Sequence, residues 1–162
     1  MKKAKAAHGH AIHARHKKLK NHCFACGKDN PDGMHLKFFL EEDKHRAVCN
    51  FTLSRRYQGP PGHSHGGIIA VILDEAMGKV NKLRNVLALT KAMEIEYLKP
   101  VPLKQRLTVI GYEKQVDGRK HINVAEIVNE AGETLARSTG TFIAIDPELM
   151  FAKFAKFVTS KK

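Results

Sequence analysis

The sequence predicts an α+β fold in which a curved antiparallel sheet wraps around one long helix. Three observations lead there. One apolar stretch of helical length begins near Gly66. Strand-like segments surround it, two before and four after. The later strands are joined by short turn-rich links, which is how consecutive hairpins are written in sequence. A single apolar helix needs cover along most of its surface, and a curved sheet supplies it.

Taken in order, the chain divides into a basic, histidine-rich tail (1–22), a folded domain (23–148) and a short basic amphipathic segment (149–162). "CGKDNPDGM" (Cys26–Met34) is dense in turn formers and reads as an ordered loop. "HLKFFL" and "AVCNFTLS" flank "EEDKHR" as a hairpin, with Val48, Asn50 and Thr52 alternating against Cys49, Phe51 and Leu53. "YQGPPGHSHGG" leads into a helix over about residues 64–83. In "ALTKAMEIEYLKPVP", Met93, Ile95 and Tyr97 alternate with Glu94 and Glu96. This is a strand with one buried face, ended by Pro100 and Pro102. "RLTVIGYEKQV", "KHINVAEIVN" and "TLARSTGTFIAI" follow, linked by "DGR" and "EAGE". The final "PELMFAKFAKFV" aligns Phe151, Phe154 and Phe157 on one helical face, suited to packing on the sheet or a partner subunit rather than to a membrane.

The formal charge of +12 sits at the ends. Residues 1–22 hold seven Lys/Arg and residues 149–162 hold four, with no acid in either, leaving 17 basic against 16 acidic residues between. A nearly neutral middle argues against a nucleic-acid-binding core and confines polyanion contact to a weak role for the tail. No apolar run approaches the ~18–20 residues of a membrane span, and no signal-peptide pattern follows the basic start. The basic, acid-free, Ala-containing start is loosely like an organellar transit peptide but is serine-poor and His-rich, and the default expectation is a cytoplasmic location. Three cysteines, an odd number, fit a reducing compartment. Cys23 and Cys26 form one Cys-x-x-Cys pair with no second pair at zinc spacing, so reduced thiols in a turn are expected and no metal or cofactor is assigned.

The helix carries the chemistry. At ~100° per residue, Ile69, Ile72, Leu73, Ala76, Val80 and Leu83 form an apolar stripe. Asp74 lies off it, among Gly67, Ala70, Val71 and Gly78. Small neighbours around a carboxylate leave room for a ligand or another helix. Glu75 has an ordinary use in an i,i+4 pair with Lys79, so Asp74 is the catalytic candidate. Gly66 and Gly67 open the helix, where unpaired N–H groups and positive potential gather. Without side chains they let a carbonyl approach and an oxyanion be stabilised. The plainer alternative is a tight turn after Pro60 and Pro61. His65 is nine residues from Asp74 and out of phase, so it reads as a cap or anchor of the glycine turn rather than a proton-transfer partner. Thr90, the hydroxyl opening the next strand, is placed to position water.

Distance constrains how these parts combine. Gly67 and Asp74 stand seven residues apart, which is ~10 Å along a helix. One carbonyl must lie within ~3 Å of its oxyanion donors and close to the attacking group. If the two work together, helices from two chains pack antiparallel about a two-fold axis, with Asp74 of one beside Gly66 of the other. That is a homodimer with two shared sites.

"HGG" followed by Asp74, nine residues after His65, resembles the hotdog-fold acyl-CoA thioesterases, in particular PaaI-like enzymes and thioesterase superfamily member 4. "CFACGKDNPDGM", "YQGPPGHSHGG" and "LTKAMEIEYLKPVPL" are similar to the family's opening, pre-helix loop and central strand, and the resemblance covers roughly residues 23–146. It implies dimers or dimer-of-dimers tetramers with sites between subunits. It also implies Asp74 as general base or nucleophile, Gly66 as backbone oxyanion donor beside Gly67, Thr90 as the water-positioning hydroxyl and His65 as the motif histidine. Gln58 stands near the position where some relatives touch the thioester through an amide. An acyl-CoA substrate needs cations for its phosphates, and Arg55, Arg56, Lys99 and Arg137 are the candidates. Chain-length preference rests on packing around Met77, Met93 and Tyr97.

The alternative reading is a non-catalytic acyl-CoA-binding sensor. A DNA-reading sensor would need a helix-turn-helix, and 22 tail residues are too few to fold one. A hydratase or dehydratase on the same fold would pair a histidine with an acid across the site, and His65 is poorly placed for that.

Overall fold

A computed structural model describes residues 20–150; the basic tail up to residue 19 and the aligned Phe151, Phe154 and Phe157 lie outside the described residues. The described residues fall into two compact units, divided between His35 and Leu36. In the first, the turn-rich stretch folds on itself through short-range bonds. The Gly27 N–H donates to the Cys23 carbonyl at 2.8 Å and the Met34 N–H to the Phe24 carbonyl at 2.8 Å. The Asp29 carboxylate accepts from the Asn21 N–H at 2.7 Å. A Cβ at Gly27 would stand 2.5 Å from the Cys23 backbone, so only glycine closes this turn.

The second unit contains β1 (Phe39–Glu41), β2 (Arg46–Thr52), a 3-10 turn (Arg55–Tyr57), α1 (Gly66–Val80), a second 3-10 turn (Asn81–Arg84), β3 (Ala88–Tyr97), β4 (Arg106–Asp117), β5 (Lys120–Asn129) and β6 (Thr134–Ala144). The strands make one sheet in the order β1-β2-β4-β5-β6-β3, with every neighbouring pair antiparallel. This is the expected order of two strands, a helix and four strands. The two hairpin links are as the sequence implies: Gly118 takes φ +53 and Gly132 φ +77. Among the described residues no helix is long and apolar enough to cross a membrane.

The core lies between α1 and the sheet. Ile69, Ile72, Leu73, Ala76, Met77 and Val80 bury one helix face against Ala47, Cys49, Leu107, Val109, Ala125, Ile127 and Phe142. Two glycines let the helix settle this close. A Cβ at Gly111 would meet the Ala76 carbonyl oxygen at 2.6 Å, and one at Gly140 would meet Phe142 and Met77 at 2.8 and 2.9 Å. Met77, expected to influence pocket depth, is fully buried in this packing.

Two expectations need correction. The helix is shorter than 64–83. Ser64 is extended and tied by its N–H to the Val101 carbonyl at 2.8 Å. At the far end the chain tightens into the 3-10 turn, stopped by Asn85 in the left-handed region at φ +56. The strand β3 does not have a buried face within the chain. Met93 and Ile95 are half-buried and Tyr97 is exposed, because β3 forms the edge of the sheet and has a strand on one side only.

Candidate active site

The loop before α1 is built to present His65 and the two glycines. Gln58 and Ser64 pair as a bridge, and the His65 N–H donates to the Tyr57 carbonyl at 2.9 Å. Gly59 packs so tightly here that a Cβ would stand 2.8 Å from the His65 Cα. His65 is the N-cap of α1, and its Nδ1 accepts the Gly67 N–H at 2.9 Å. An N–H can only donate, so Nδ1 bears the lone pair and the ring proton sits on Nε2. Gly67 therefore spends its N–H on the cap. The Gly66 N–H, first in the helix, has no intrahelical acceptor available to it, and it points where the helix end concentrates positive potential.

Asp74 lies two turns further on, half-buried. Its Oδ1 accepts from the Thr90 hydroxyl at 2.7 Å. Burial pushes the Asp74 carboxyl above the ordinary aspartate range, against the Thr90 bond, which holds it down; neighbouring Glu75 adds a smaller push upward. Glu75 itself makes the expected ion pair with Lys79, at 2.8 Å. The other residues of the Asp74 face, Gly67, Ala70, Val71 and Gly78, are half-buried or exposed, so the sheet of the same chain leaves this side of the helix open.

Thr90 reaches Asp74 because of an irregularity that the sequence does not advertise. Along β3, Thr90 pairs with Phe142 and Ala92 with Thr141, leaving Lys91 bulged out of the ladder. One extra residue reverses the alternation. Thr90 thereby shares the helix-facing side with Met93 and Tyr97, which pair with Gly140 and Ala136. In an unbroken strand it would face outward with Glu94 and Glu96.

The candidate cations separate. Arg137 pairs with Glu96 and Glu126 on the outer face of the sheet, and its guanidinium binds the Glu96 carboxylate through two bonds of 2.8 Å. There it lines a shallow concavity with Glu94, Tyr112 and Glu126, across the sheet from Asp74. Lys99 is engaged by Glu133. Both are exposed surface pairs. Arg55 and Arg56 sit on the exposed 3-10 turn ahead of the His65 loop, with the Arg56 guanidinium 5.4 Å from the Tyr57 ring centre. Gln58 is exposed on the same loop.

One participant was not singled out from sequence for this position. The Tyr97 hydroxyl donates to the Gly66 carbonyl at 3.2 Å. Nothing local joins residues 31 positions apart; only the sheet brings the end of β3 to the start of α1.

Comparison with known proteins agrees with this architecture. Residues 61–136 match the family described as the thioesterase superfamily. The chain is 32% identical over 117 residues to acyl-coenzyme A thioesterase THEM4 of Rattus norvegicus, covering 72% of this chain and 50% of that protein. It thus spans about half the length of that relative. A solved thioesterase superfamily protein superposes with a TM-score of 0.72 at 31% identity, over 76% of this chain and 60% of the other. The E. coli PaaI protein from the phenylacetic acid degradation operon has the same fold, with a TM-score of 0.67 at 21% identity over 85% of this chain and 92% of its own. One helix on a six-stranded antiparallel sheet is the hotdog fold, and over residues 61–136 this chain matches the thioesterase superfamily.

Proposed function

We propose that this protein is a homo-oligomeric acyl-CoA thioesterase, releasing a free acid and CoA at sites shared between two subunits. The observation that carries the reading is the pairing of an open Gly66 N–H at a capped helix start with a half-buried Asp74 held by Thr90. An acyl-coenzyme A thioesterase among the relatives supports the choice of substrate class.

Gly66 and Asp74 are eight residues apart on one continuous helix, about 12 Å, so one thioester cannot meet both in a single chain. The open helix face around Asp74 and the unpaired edge of β3 are the surfaces a second copy would cover. In that arrangement the carbonyl oxygen rests on the Gly66 N–H and faces the partner's Asp74. Thr90 occupies Oδ1 and leaves Oδ2 for reaction. Oδ2 either takes a proton from an attacking water or attacks the carbonyl carbon itself. Both routes break the C–S bond and expel CoA thiolate, and in the second, water then opens the acyl–aspartyl anhydride. Arg55 and Arg56, on the exposed turn ahead of the His65 loop, are candidate cations for the CoA phosphates, and Gln58 is within the same loop.

The test is thiol release from acetyl-, phenylacetyl-, hexanoyl- and palmitoyl-CoA by wild type and Asp74→Asn. Turnover that falls by about a hundredfold or more in the variant is expected for loss of a base or nucleophile. Tight acyl-CoA binding without turnover would mean a sensor instead. Sharing is tested by mixing chains: Asp74→Asn with a Gly66 variant regains about a quarter of wild-type activity if sites are shared between two copies, and none if they are not.

A further inference from the structure

Gly66 and Gly67 bring no side chains to hold the peptide between them, and glycine restrains it least of all residues. Two side chains, one from the preceding residue and one from β3, grip that unit at its two ends. Its N–H, on Gly67, donates to His65 Nδ1 at 2.9 Å. Its carbonyl, on Gly66, accepts from the Tyr97 hydroxyl at 3.2 Å. Because the peptide is planar, fixing both polar ends fixes the plane. The Tyr97 ring also runs along the Gly66 Cα, where a built Cβ would stand 3.6 Å from Cε1 and 3.7 Å from the hydroxyl. Core packing does not explain this placement, since Tyr97 is 54% exposed.

We propose that Tyr97 is a positioning residue: with His65 it clamps the Gly66–Gly67 peptide and so sets the direction of the adjoining Gly66 N–H. The inference rests on the thioesterase reading, in which that N–H receives the carbonyl oxygen. Only the two torsions at the Gly66 Cα separate the clamped plane from the donor. Tyr97 acts through the Gly66 peptide and has no contact with Asp74 to make. The lysine bulge that turns Thr90 inward leaves Tyr97 on the same helix-facing side of β3, so one strand supports both halves of the machinery.

The test is Tyr97→Phe, which keeps the ring and removes only the hydroxyl. In protein labelled with ¹⁵N-glycine, amide hydrogen exchange at Gly67 is expected to quicken by about three- to tenfold, the worth of one long hydrogen bond, while the Gly78 and Gly111 amides stay unchanged. In thiol release, kcat falls by a similar factor, about three- to tenfold, with KM held, as expected when the lost interaction matters only in the transition state. Unchanged exchange at Gly67 overturns the clamp whatever the turnover. Quickened exchange with unchanged kcat overturns the positioning role. Quickened exchange in a protein whose wild type cleaves no thioester upholds the clamp and defeats the thioesterase reading instead.

Discussion

Thr90 Oγ1 lies 2.7 Å from Asp74 Oδ1, and the bond joins an edge strand to the central helix. Burial and this bond act on the carboxyl in opposite senses. The hydroxyl stabilises the carboxylate and orients it; burial makes it more basic than an ordinary aspartate. A carboxylate so placed is a better proton acceptor than one in water, yet it has a fixed orientation.

The pH profile follows from that balance. On the proposed reading Asp74 works as the carboxylate, so activity should rise with pH through its raised pKa. Thr90→Val removes the bond that lowers this pKa, and the acid limb of kcat/KM should move to still higher pH. Hydrolysis rates from about pH 4 to pH 9 would reveal it. A limb that stays in place would mean the hydroxyl does not govern this group.

Stability moves the other way from activity at Asp74. A pKa raised on folding means stability that is fully present below the unfolded pKa and lost as pH rises through the folded one. At neutral pH the charged group is therefore a liability. Asp74→Asn, which can still accept from Thr90, should melt at a higher temperature than wild type at pH 7, and the difference should shrink below the ordinary aspartate pKa. Melting curves at both pH values check the sign.

Gly66→Ala separates ligand approach from backbone need. The Cβ would make ordinary contacts of 3.6 Å with Tyr97, so the fold accepts it. On the reading above the methyl stands in the path of the carbonyl. Melting temperature should hold or rise slightly, while kcat/KM falls by about tenfold or more. Full activity would show that the glycine serves only the turn.

Arginine substitutions should divide by face. Arg55→Gln and Arg56→Gln are expected to raise KM for acyl-CoA by about two- to tenfold each, with the effect weakening in high salt. Arg137→Gln, already committed to Glu96 on the outer face, should leave KM within about twofold. The comparison is made by steady-state kinetics at two ionic strengths.

Gly111→Ala tests the helix–sheet approach. Its Cβ would meet a backbone carbonyl at 2.6 Å, and no side-chain rotation relieves that. The expected loss is about 1–3 kcal/mol, measured by urea denaturation of purified protein.

Much of this was legible in the residues. The apolar stripe from Ile69 to Val80, the alternation of Cys49 and Phe51, and the turn glycines Gly118 and Gly132 each act through neighbours within a few positions. The Glu75–Lys79 pair and the separation of Gly66 from Asp74 are matters of helix geometry. These determined the element order, the fold class and the candidate pair on the helix.

What only tertiary structure decided concerns residues far apart in the chain. Thr90 faces Asp74 because a bulge at Lys91 shifts the alternation, and a strand's period in sequence does not record an inserted residue. Arg137 and Lys99 are paired to Glu96 and Glu133, which composition cannot foresee. Tyr97 meets Gly66 because the sheet order sends β3 to the edge beside β6. Local patterns specify which face a side chain takes within its own element; which element lies opposite, and in what register, is settled only when the whole sheet closes over the helix.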